Sequence, residues 1–587
     1  MDAHRKGDRL RRSTAGWALL LLLAGCTGNI SGEGEGSGEG PNGPGAGNAT
    51  GSGGSGGSAP GTGGTTSPGT GGSAAGGGMT GDNCTPAPPL SPGLVLLPDY
   101  QFVNAIRGLL GESAVDPQAP DAASKTFTQK GTVVSTSLVD TRIAWAKHAA
   151  DSLRTRFFEV TACSEDDTDA CAQAFIQSFG SRAFRRPLGA EEVTDLMGVY
   201  QVGRATDFVT GVTLAVQAIL ASPSFVYRTE FGERDASGRI TLTPFEIATE
   251  LSFLLTDAGP DPELYAAAES GALRDPAEIR RQVQRLLAIP AVQQNLTQTL
   301  LAAWGVGNVL GKAKDPTLFP EYGPLLQSSM FRETELFVND ALWGGASADA
   351  LLTSNRTFVN AALADYYGVA YSGTGDADFV PVDLPADQRA GLLTQPSILT
   401  ARAGTEESSV VFRGLFVHGA LLCLRKVPAP PETLAEDIQE LLDADMTERE
   451  RAEVRAGQAT CGGCHASFDP YGLALEHYDA IGRYRQVEDN GAPIDAVVDL
   501  TGIAGLSGTV NGAVEFAQTL VQTSGLEACL ARHVIAYGSG HETLDATSCE
   551  VQQTMGSLPS EAPSMAQIVE AAVLSPAFYE RVEEVQP

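Results

Sequence analysis

Basic side chains are scarce in this chain of 587 residues, which has 39 lysines and arginines against 71 aspartates and glutamates. The formal net charge of −32 repels both phosphate backbones and anionic lipid headgroups. This balance excludes nucleic acid as a partner and excludes electrostatic adhesion to a membrane. Outside a Gly/Ser-rich segment, the chain also lacks the Gly-x-Ser-x-Gly elbow, His-Glu-x-x-His and the phosphate-binding loop. The common hydrolase and nucleotide-binding classes are therefore not indicated.

Alternation of apolar and polar residues, the pattern of a half-buried strand, is rare as well. Helix signals recur instead. Thr243, Pro244 and Glu246 occupy the N-cap, first and third helical positions of a capping box, and apolar residues at helical spacing follow to about Leu255. The sequence predicts a mostly α, multi-domain helical body with only minor β structure.

The longest apolar run near the N-terminus, residues 15–24, is too short to span a membrane and follows a basic stretch, as in a signal peptide. It ends in Leu23-Ala24-Gly25-Cys26, which resembles a bacterial lipobox. We therefore predict that Cys26 is the lipidated first residue of a mature lipoprotein. The residue after Cys26 is Thr27 rather than Asp, which favours sorting to the outer membrane. The folded part of the protein would then be periplasmic or surface-exposed. The alternative is an ordinary cleaved signal peptide.

A Cys-x-x-Cys-His motif, the attachment pattern of a c-type haem, occupies residues 461–465. Cys461 and Cys464 can each form a thioether to a haem vinyl group, and His465 can then ligate the iron. A thiol–disulfide pair, a structural disulfide or half of a zinc site are the alternatives. Zinc is disfavoured because the chain has no second Cys-x-x-Cys and no closely spaced His pair. We predict haem c (iron) as the cofactor.

Other residues are expected around the haem. Arg483 and Arg485 are predicted to neutralise its propionates, the alternative being ion pairs with Asp469, Glu476 or Asp479. Residues 469–472 (Asp-Pro-Tyr-Gly) are predicted to form a turn. No spacing singles out the sixth iron ligand, and the candidates are Met446, His477, Met555, Met565, His533, His541 and His418.

Six of the nine cysteines remain after Cys26, Cys461 and Cys464 are assigned. An even remainder in an exported chain indicates disulfides. The predicted local pairs are Cys163 with Cys171 and Cys529 with Cys549, which leaves Cys84 with Cys423 by elimination. A rival arrangement brings Cys423 to the Cys461/Cys464 site.

Several segments together resemble an exported bacterial family of consecutive domains of unknown function, numbered 1587, 1595, 1592, 1588 and 1585, the fourth bearing a cytochrome-c-like Cys-x-x-Cys-His. The resemblance rests on residues 100–111, 179–188, 220–228 and 358–360, Arg413-Gly414, residues 461–485 and Tyr537-Gly538. It implies an exported, largely helical, haem-bearing protein and supplies no substrate. Two departures are the absence of a His shortly before Cys461, where this chain has Arg455 to Thr460, and the presence of His541.

Residues 28–82 are nearly all Gly, Ser, Thr, Ala and Pro, a composition that cannot form a core and predicts a disordered tether. The predicted boundaries are 1–25 for the signal peptide, 26–82 for the flexible linker, 83–160 for an N-terminal helical domain, 161–205 for a small helical domain with an Arg-rich junction, 206–342 for a central helical domain, 343–495 for the cytochrome-c-like domain and 496–587 for a C-terminal helical domain.

These features predict an outer-membrane lipoprotein, held to the membrane only by its N-terminal lipid, that carries one covalent haem in electron transfer or another redox process. The redox partner is not named by the sequence. A non-enzymatic surface module with structural disulfides, binding polysaccharide or a partner protein, is one alternative. A haem enzyme resembling a peroxidase, with an open sixth iron position, is the other.

Overall fold

The computed structural model describes residues 91–120, 125, 134–163, 169–236, 238–429, 445–488, 490–540, 543–559 and 562–581. The predicted signal peptide and tether, with Cys26, Cys84 and His541, lie outside these residues. All described residues belong to one unit, 74–587. The predicted domain boundaries within it stay predictions.

Helices make up most of the regular structure in the described part, which confirms the predicted fold class. They are α1 Asp99–Leu110, α2 Thr136–Ser152, α3 Phe157–Thr161, α4 Asp169–Ala183, α5 Ala190–Arg204, α6 Phe208–Ala221, α7 Pro223–Val226, α8 Pro244–Thr256, α9 Pro262–Glu269, α10 Pro276–Leu287, α11 Pro290–Ala303, α12 Pro324–Trp343, α13 Ala350–Thr353, α14 Ala361–Tyr367, α15 Pro396–Ala401, α16 Val410–Phe416, α17 Glu448–Gly457, α18 Gly462–Leu473, α19 Gly512–Leu520, α20 Gly525–Ser539, α21 Cys549–Gly556, α22 Met565–Val573 and α23 Pro576–Tyr579.

Strands are short and pair antiparallel. They are β1 Gly93–Leu96, β2 Tyr227–Glu230, β3 Glu233–Arg234, β4 Ile240–Thr241, β5 Arg356–Val359, β6 Val380–Asp383, β7 Val497–Asp499, β8 Thr509–Asn511 and β9 Glu580–Arg581. The sheets are β1-β2, β3-β4-β9, β5-β6 and β7-β8. β1 pairs with β2, and β4 pairs with β9, across long stretches of the chain. These small sheets therefore connect helical segments that are far apart in the sequence.

The start of α8 shows how local sequence sets a helix. Thr243 Oγ1 accepts a hydrogen bond from the Glu246 backbone N–H, and the Glu246 carboxylate accepts one from the Thr243 N–H at 2.8 Å. Pro244 fills the first helical position, where its missing N–H costs nothing. The predicted capping box is therefore confirmed.

Two large hydrophobic cores lie under these helices. One is built by the N-terminal segments, from Leu97 to Phe225, and also takes in Phe253 of α8. The second runs from Leu242 to Phe578 and includes apolar side chains of α8, α16, α18 and α20. The Cys-x-x-Cys-His motif stands at the start of α18, so the second core is what holds it in place.

The disulfides agree with one predicted pair and contradict the other two. Cys163 is bonded to Cys171, as predicted. Cys529 is bonded to Cys423, with a Cα–Cα distance of 5.0 Å. The expected pair of Cys529 with Cys549 and the pair of Cys84 with Cys423, reached by elimination, are therefore both wrong. Sequence proximity favoured Cys549, but the packing of α20 places Cys529 against the chain after α16. Cys549 is itself disulfide-bonded, and such bonds persist mainly in oxidising compartments, which points to an extracytoplasmic location.

None of the helices in the described residues combines the length and the apolar character that crossing a bilayer requires.

Candidate functional site

The motif residues occupy the first turns of α18. Cys461 is the N-cap, Gly462 opens the helix, and Cys464 and His465 follow within the first turns. Residues three and four apart share one face of a helix, so both sulfurs and the imidazole belong to the same side of α18. Cys461 is buried and Cys464 is exposed.

Both thiols of the motif are free. The other cysteines of the described part, by contrast, are disulfide-bonded: Cys163, Cys171, Cys423, Cys529 and Cys549. The rival arrangement that brings Cys423 to the motif is wrong, because its partner is Cys529. The motif therefore presents two thiols and an imidazole that are available for other chemistry.

His465 is held by a carboxylate one turn further along α18. Its Nδ1 lies 3.1 Å from each oxygen of Asp469. A neutral imidazole that donates from Nδ1 keeps the lone pair on Nε2, the atom that can bind a metal. Metal-binding histidines are commonly oriented in this way by a carboxylate, which also makes them stronger donors.

Asp469 is in turn paired with a cation from the preceding helix. Arg455 of α17 donates from Nε to Asp469 at 3.1 Å, and both side chains are more than nine-tenths buried. The Nη2 of Arg455 is buried and has no hydrogen-bond partner among the described residues. Sequence reasoning missed both residues as parts of the site, although the four-residue spacing of His465 and Asp469 was a readable signal. Arg455 lies in the segment where the resembled family tends to carry a His.

The two glycines of the motif have different reasons to be small. A Cβ on Gly462 would lie 2.2 Å from the Ala456 carbonyl oxygen, so the end of α17 requires glycine there. A Cβ on Gly463 would meet nothing within 4 Å. The turn that joins Cys461 to Cys464 is therefore open on the Cβ side of Gly463.

α18 is locked to α16 by a second, reciprocal pair of glycines. A Cβ on Gly472 would lie 1.9 Å from the Val410 carbonyl oxygen, and one on Gly414 would lie 2.2 Å from the Phe468 carbonyl oxygen. The two helices therefore approach backbone to backbone. Arg413, next to Gly414, is buried and donates to the carbonyls of Leu475, Tyr478 and Asp479 just beyond α18.

The turn predicted at residues 469–472 is wrong, because these residues lie inside α18. Pro470 removes a helical hydrogen-bond donor there, at a typical cost of about 3 kcal/mol. Phe468 and Tyr471 on either side are buried in the second core. Tertiary packing of these aromatic side chains outweighs the local preference of Asp-Pro for a turn.

Arg483 and Arg485 make the ion pairs that the sequence left open as the alternative to haem propionates. Arg483 Nε lies 3.2 Å from Asp479, and Arg485 pairs with the buried Glu476. Burial raises the pKa of Glu476 above its ordinary value, while Arg413 and Arg485 oppose that shift. Both guanidinium groups thus already neutralise carboxylates of this chain, and a propionate-binding role stays a prediction.

The described candidates for a sixth iron ligand are spread over several environments. His477 Nδ1 lies 3.0 Å from the Arg485 carbonyl, His418 Nε2 lies 3.0 Å from the Arg425 carbonyl, and His533 contacts the Cys423–Cys529 disulfide. Met565 is buried in the second core, and Met555 packs against it. The sixth ligand stays a prediction.

The protein is mostly helical, and it carries a Cys-x-x-Cys-His motif whose two thiols are free. The buried pair of Asp469 and Arg455 supports the histidine of this motif. Four family models match consecutive stretches of the chain, each described as a protein of unknown function: DUF1595 at 171–230, DUF1592 at 242–369, DUF1588 at 389–488 and DUF1585 at 508–578. The chain therefore carries four consecutive domains of unknown function, in the order of the multi-domain family that it resembles. The motif lies within the third of them. The domain numbered 1587 stays a prediction.

No curated protein and no solved structure matches the chain significantly.

Proposed function

We propose that this protein is a cell-envelope lipoprotein that carries one covalent c-type haem at Cys461, Cys464 and His465 and works in electron transfer or a related redox process. The observation that carries the proposal is the pair of free thiols on one turn with an imidazole that is already oriented by Asp469. A haem bound there supplies reversible one-electron chemistry.

The chain's own residues have distinct parts in such a site. Cys461 and Cys464 attach the group, and His465 presents Nε2 to it from the α18 side. Asp469 fixes the tautomer of His465, and Arg455 holds Asp469 in place through its hydrogen bond. Gly463 leaves the face of the turn open. The α16–α18 crossing keeps all of these groups at fixed positions.

A second candidate, a haem enzyme with an open sixth iron position, is favoured by the same His465–Asp469 hydrogen bond. A carboxylate on Nδ1 makes the imidazole a stronger donor, and a strong proximal donor stabilises the higher oxidation states that haem enzymes use. Binding of carbon monoxide to the reduced protein separates the two functions. Fast, stoichiometric binding indicates an open site, whereas a hexacoordinate electron carrier resists it.

The envelope location is proposed from the lipobox at Cys26 together with the disulfides. Labelling of the expressed chain with a fatty-acid probe tests it. Incorporation of the probe should be lost in Cys26→Ala. On membrane fractionation, this variant should be found in the soluble fraction.

The decisive experiment is a pyridine haemochrome spectrum of the full chain expressed with a haem-maturation system. We expect a c-type α-band that survives acid–acetone extraction, since thioether bonds hold the haem covalently. Cys461→Ala/Cys464→Ala is the test variant, and Cys163→Ala/Cys171→Ala, which removes a different cysteine pair, is the matched control. A spectrum without the band, with Cys461 and Cys464 found oxidised to each other, would contradict the proposal and favour a disulfide-braced surface module.

A further inference from the structure

A second group of sulfur and nitrogen donors lies away from the Cys-x-x-Cys-His turn. Cys529 and His533 are one turn apart on α20, so they share a face of that helix. Cys423 reaches them from the segment that follows the π-helical turn Val417–Leu421, and it has a positive φ of 49°. π-Helical turns and left-handed residues are strained conformations that often mark functional sites.

His533 is aimed at both sulfurs of the disulfide. Its Nε2 lies 3.5 Å from Cys423 Sγ and 3.4 Å from Cys529 Sγ. In a tetrahedral zinc site with ordinary bond lengths, a thiolate sulfur and an imidazole nitrogen are separated by about 3.6 Å. The imidazole is therefore already at the distance from each sulfur that shared coordination of one ion requires.

The three donors are deeply buried, with exposed fractions of 4% for Cys423, 1% for Cys529 and 4% for His533. The imidazole also has neighbours outside the disulfide, since Nε2 lies 3.2 Å from the Ala420 carbonyl oxygen and Nδ1 lies 3.4 Å from Arg532 Nη1. Neutral imidazole is the form that binds metals.

A cavity of about 730 Å³ opens onto this group. Cys423 and His533 form part of its wall, together with His418, Arg425, Lys426 and Arg532. The cavity therefore extends up to Cys423, while Cys529 lies behind its wall. The cationic side chains stabilise thiolate relative to thiol, and they favour the entry of anions into the cavity.

We propose that Cys423, Cys529 and His533 form a redox-gated zinc site. A small dithiol enters through the cavity and reduces the Cys423–Cys529 bond by thiol–disulfide exchange. Its two S–H groups supply two electrons and two protons, so the products are two cysteine thiols and the cyclic disulfide of the reductant. Zn²⁺ then binds the two sulfurs as thiolates and His533 through Nε2, and two protons are released.

With three protein ligands, a zinc ion held there would have a fourth position for water. Oxidation of the cysteines expels the ion and restores the disulfide, so the metal content of this region follows the dithiol–disulfide balance around the protein. This site does not depend on haem at residues 461–465.

The test uses the full chain with Cys461→Ala/Cys464→Ala, which removes the two free thiols of the described residues. One sample stays oxidised, and one is reduced with dithiothreitol and desalted under argon. Both are incubated with Zn²⁺, desalted again, and analysed for zinc by mass spectrometry. We expect the reduced sample to hold about one more equivalent of zinc than the oxidised sample. Co²⁺ in place of Zn²⁺ should give tetrahedral ligand-field bands with thiolate charge transfer.

His533→Gln and Cys529→Ser should each remove the extra equivalent. His418→Gln, which changes another histidine of the same cavity, is the matched control and should keep it. Equal zinc in reduced and oxidised protein overturns the proposal, as does extra zinc that persists in both His533→Gln and Cys529→Ser. If a variant fails to fold, X-ray absorption of the reduced zinc-loaded parent decides: two sulfur and one nitrogen scatterers support the site, and any other sulfur count overturns it.

Discussion

The glycine crossing between α16 and α18 yields the sharpest prediction about how the candidate site is held. In Gly472→Ala, the new methyl group would start 1.9 Å from the Val410 carbonyl oxygen, whereas ordinary contacts begin at 3.4 Å. The two helices must therefore separate by about 1.5 Å. Since the obstructing atoms are backbone, no side-chain rotation relieves the overlap. We expect a cost of about 3 kcal/mol, at the upper end of the usual range for overpacking.

Gly463→Ala is the matched control, because it makes the same change in the same helix where nothing lies within 4 Å of the new methyl group. Alanine is favoured over glycine in a helix by up to about 1 kcal/mol. The control should therefore be neutral or slightly stabilising. Gly414→Ala should resemble Gly472→Ala, because its methyl group meets the Phe468 carbonyl oxygen from the other side of the same contact.

Hydrogen exchange of the haem-free chain, followed by mass spectrometry, measures the effect locally. Amides of α16 and α18 should exchange roughly a hundredfold faster in Gly472→Ala, as expected for a loss of about 3 kcal/mol. The double variant Gly414→Ala/Gly472→Ala should cost less than the sum of the two, since helices that are already apart accommodate the second methyl group. Protection of α18 in Gly472→Ala equal to that in Gly463→Ala would refute this account of the crossing.

Three further predictions follow from buried charges. Burial raises the pKa of Glu333 to about 7. The folded state therefore favours the protonated carboxyl group. About 3 kcal/mol of folding stability that is present below pH 4.5 is lost as the pH rises through 7. Glu333→Gln should flatten this part of the urea-midpoint profile, and an unchanged slope would contradict the assignment. Asp257→Asn leaves the Lys125 ammonium group, which lies 2.5 Å from Asp257, buried without its counter-charge; a loss of 3–5 kcal/mol is expected in denaturant titration, and a loss below 1 kcal/mol would show that Lys125 is neutral. In haem-loaded protein, Asp469→Asn weakens the donor character of His465 and should raise the midpoint potential by about 60 mV, equivalent to a tenfold change in the equilibrium constant for reduction. Spectroelectrochemistry measures this potential. A potential equal to that of the wild type would show that Asp469 does not act on the haem through His465.

Short-range patterns carried much of what could be predicted. The capping box at Thr243 and the pair Cys163–Cys171 depend on residues a few positions apart, and the structure confirms both. The helical class follows from the same kind of information, repeated along the chain. The Cys-x-x-Cys-His motif is likewise local: its spacing alone puts two thiols and an imidazole on one side of a helix.

Contacts between distant segments could not be predicted in the same way. Cys529 has a cysteine twenty residues ahead of it in the chain, yet it bonds to Cys423 at a separation of 106 residues. The choice depends on which helices pack together, and no pattern within one segment encodes that. Asp469-Pro470 shows the same limit, because its local preference is for a turn and the burial of its aromatic neighbours makes it helix.

The sequence by itself determined that this chain is mostly helical and that it presents two cysteines and a histidine with haem-attachment spacing. Only the tertiary structure decided that those cysteines stay free, that Arg455 and Asp469 stand behind His465, and that Gly414 and Gly472 are required where α16 meets α18. The physical reason is one of range. Hydrogen-bonded turns and helical periodicity are set by neighbours in the chain, whereas close packing brings together residues that no local rule relates.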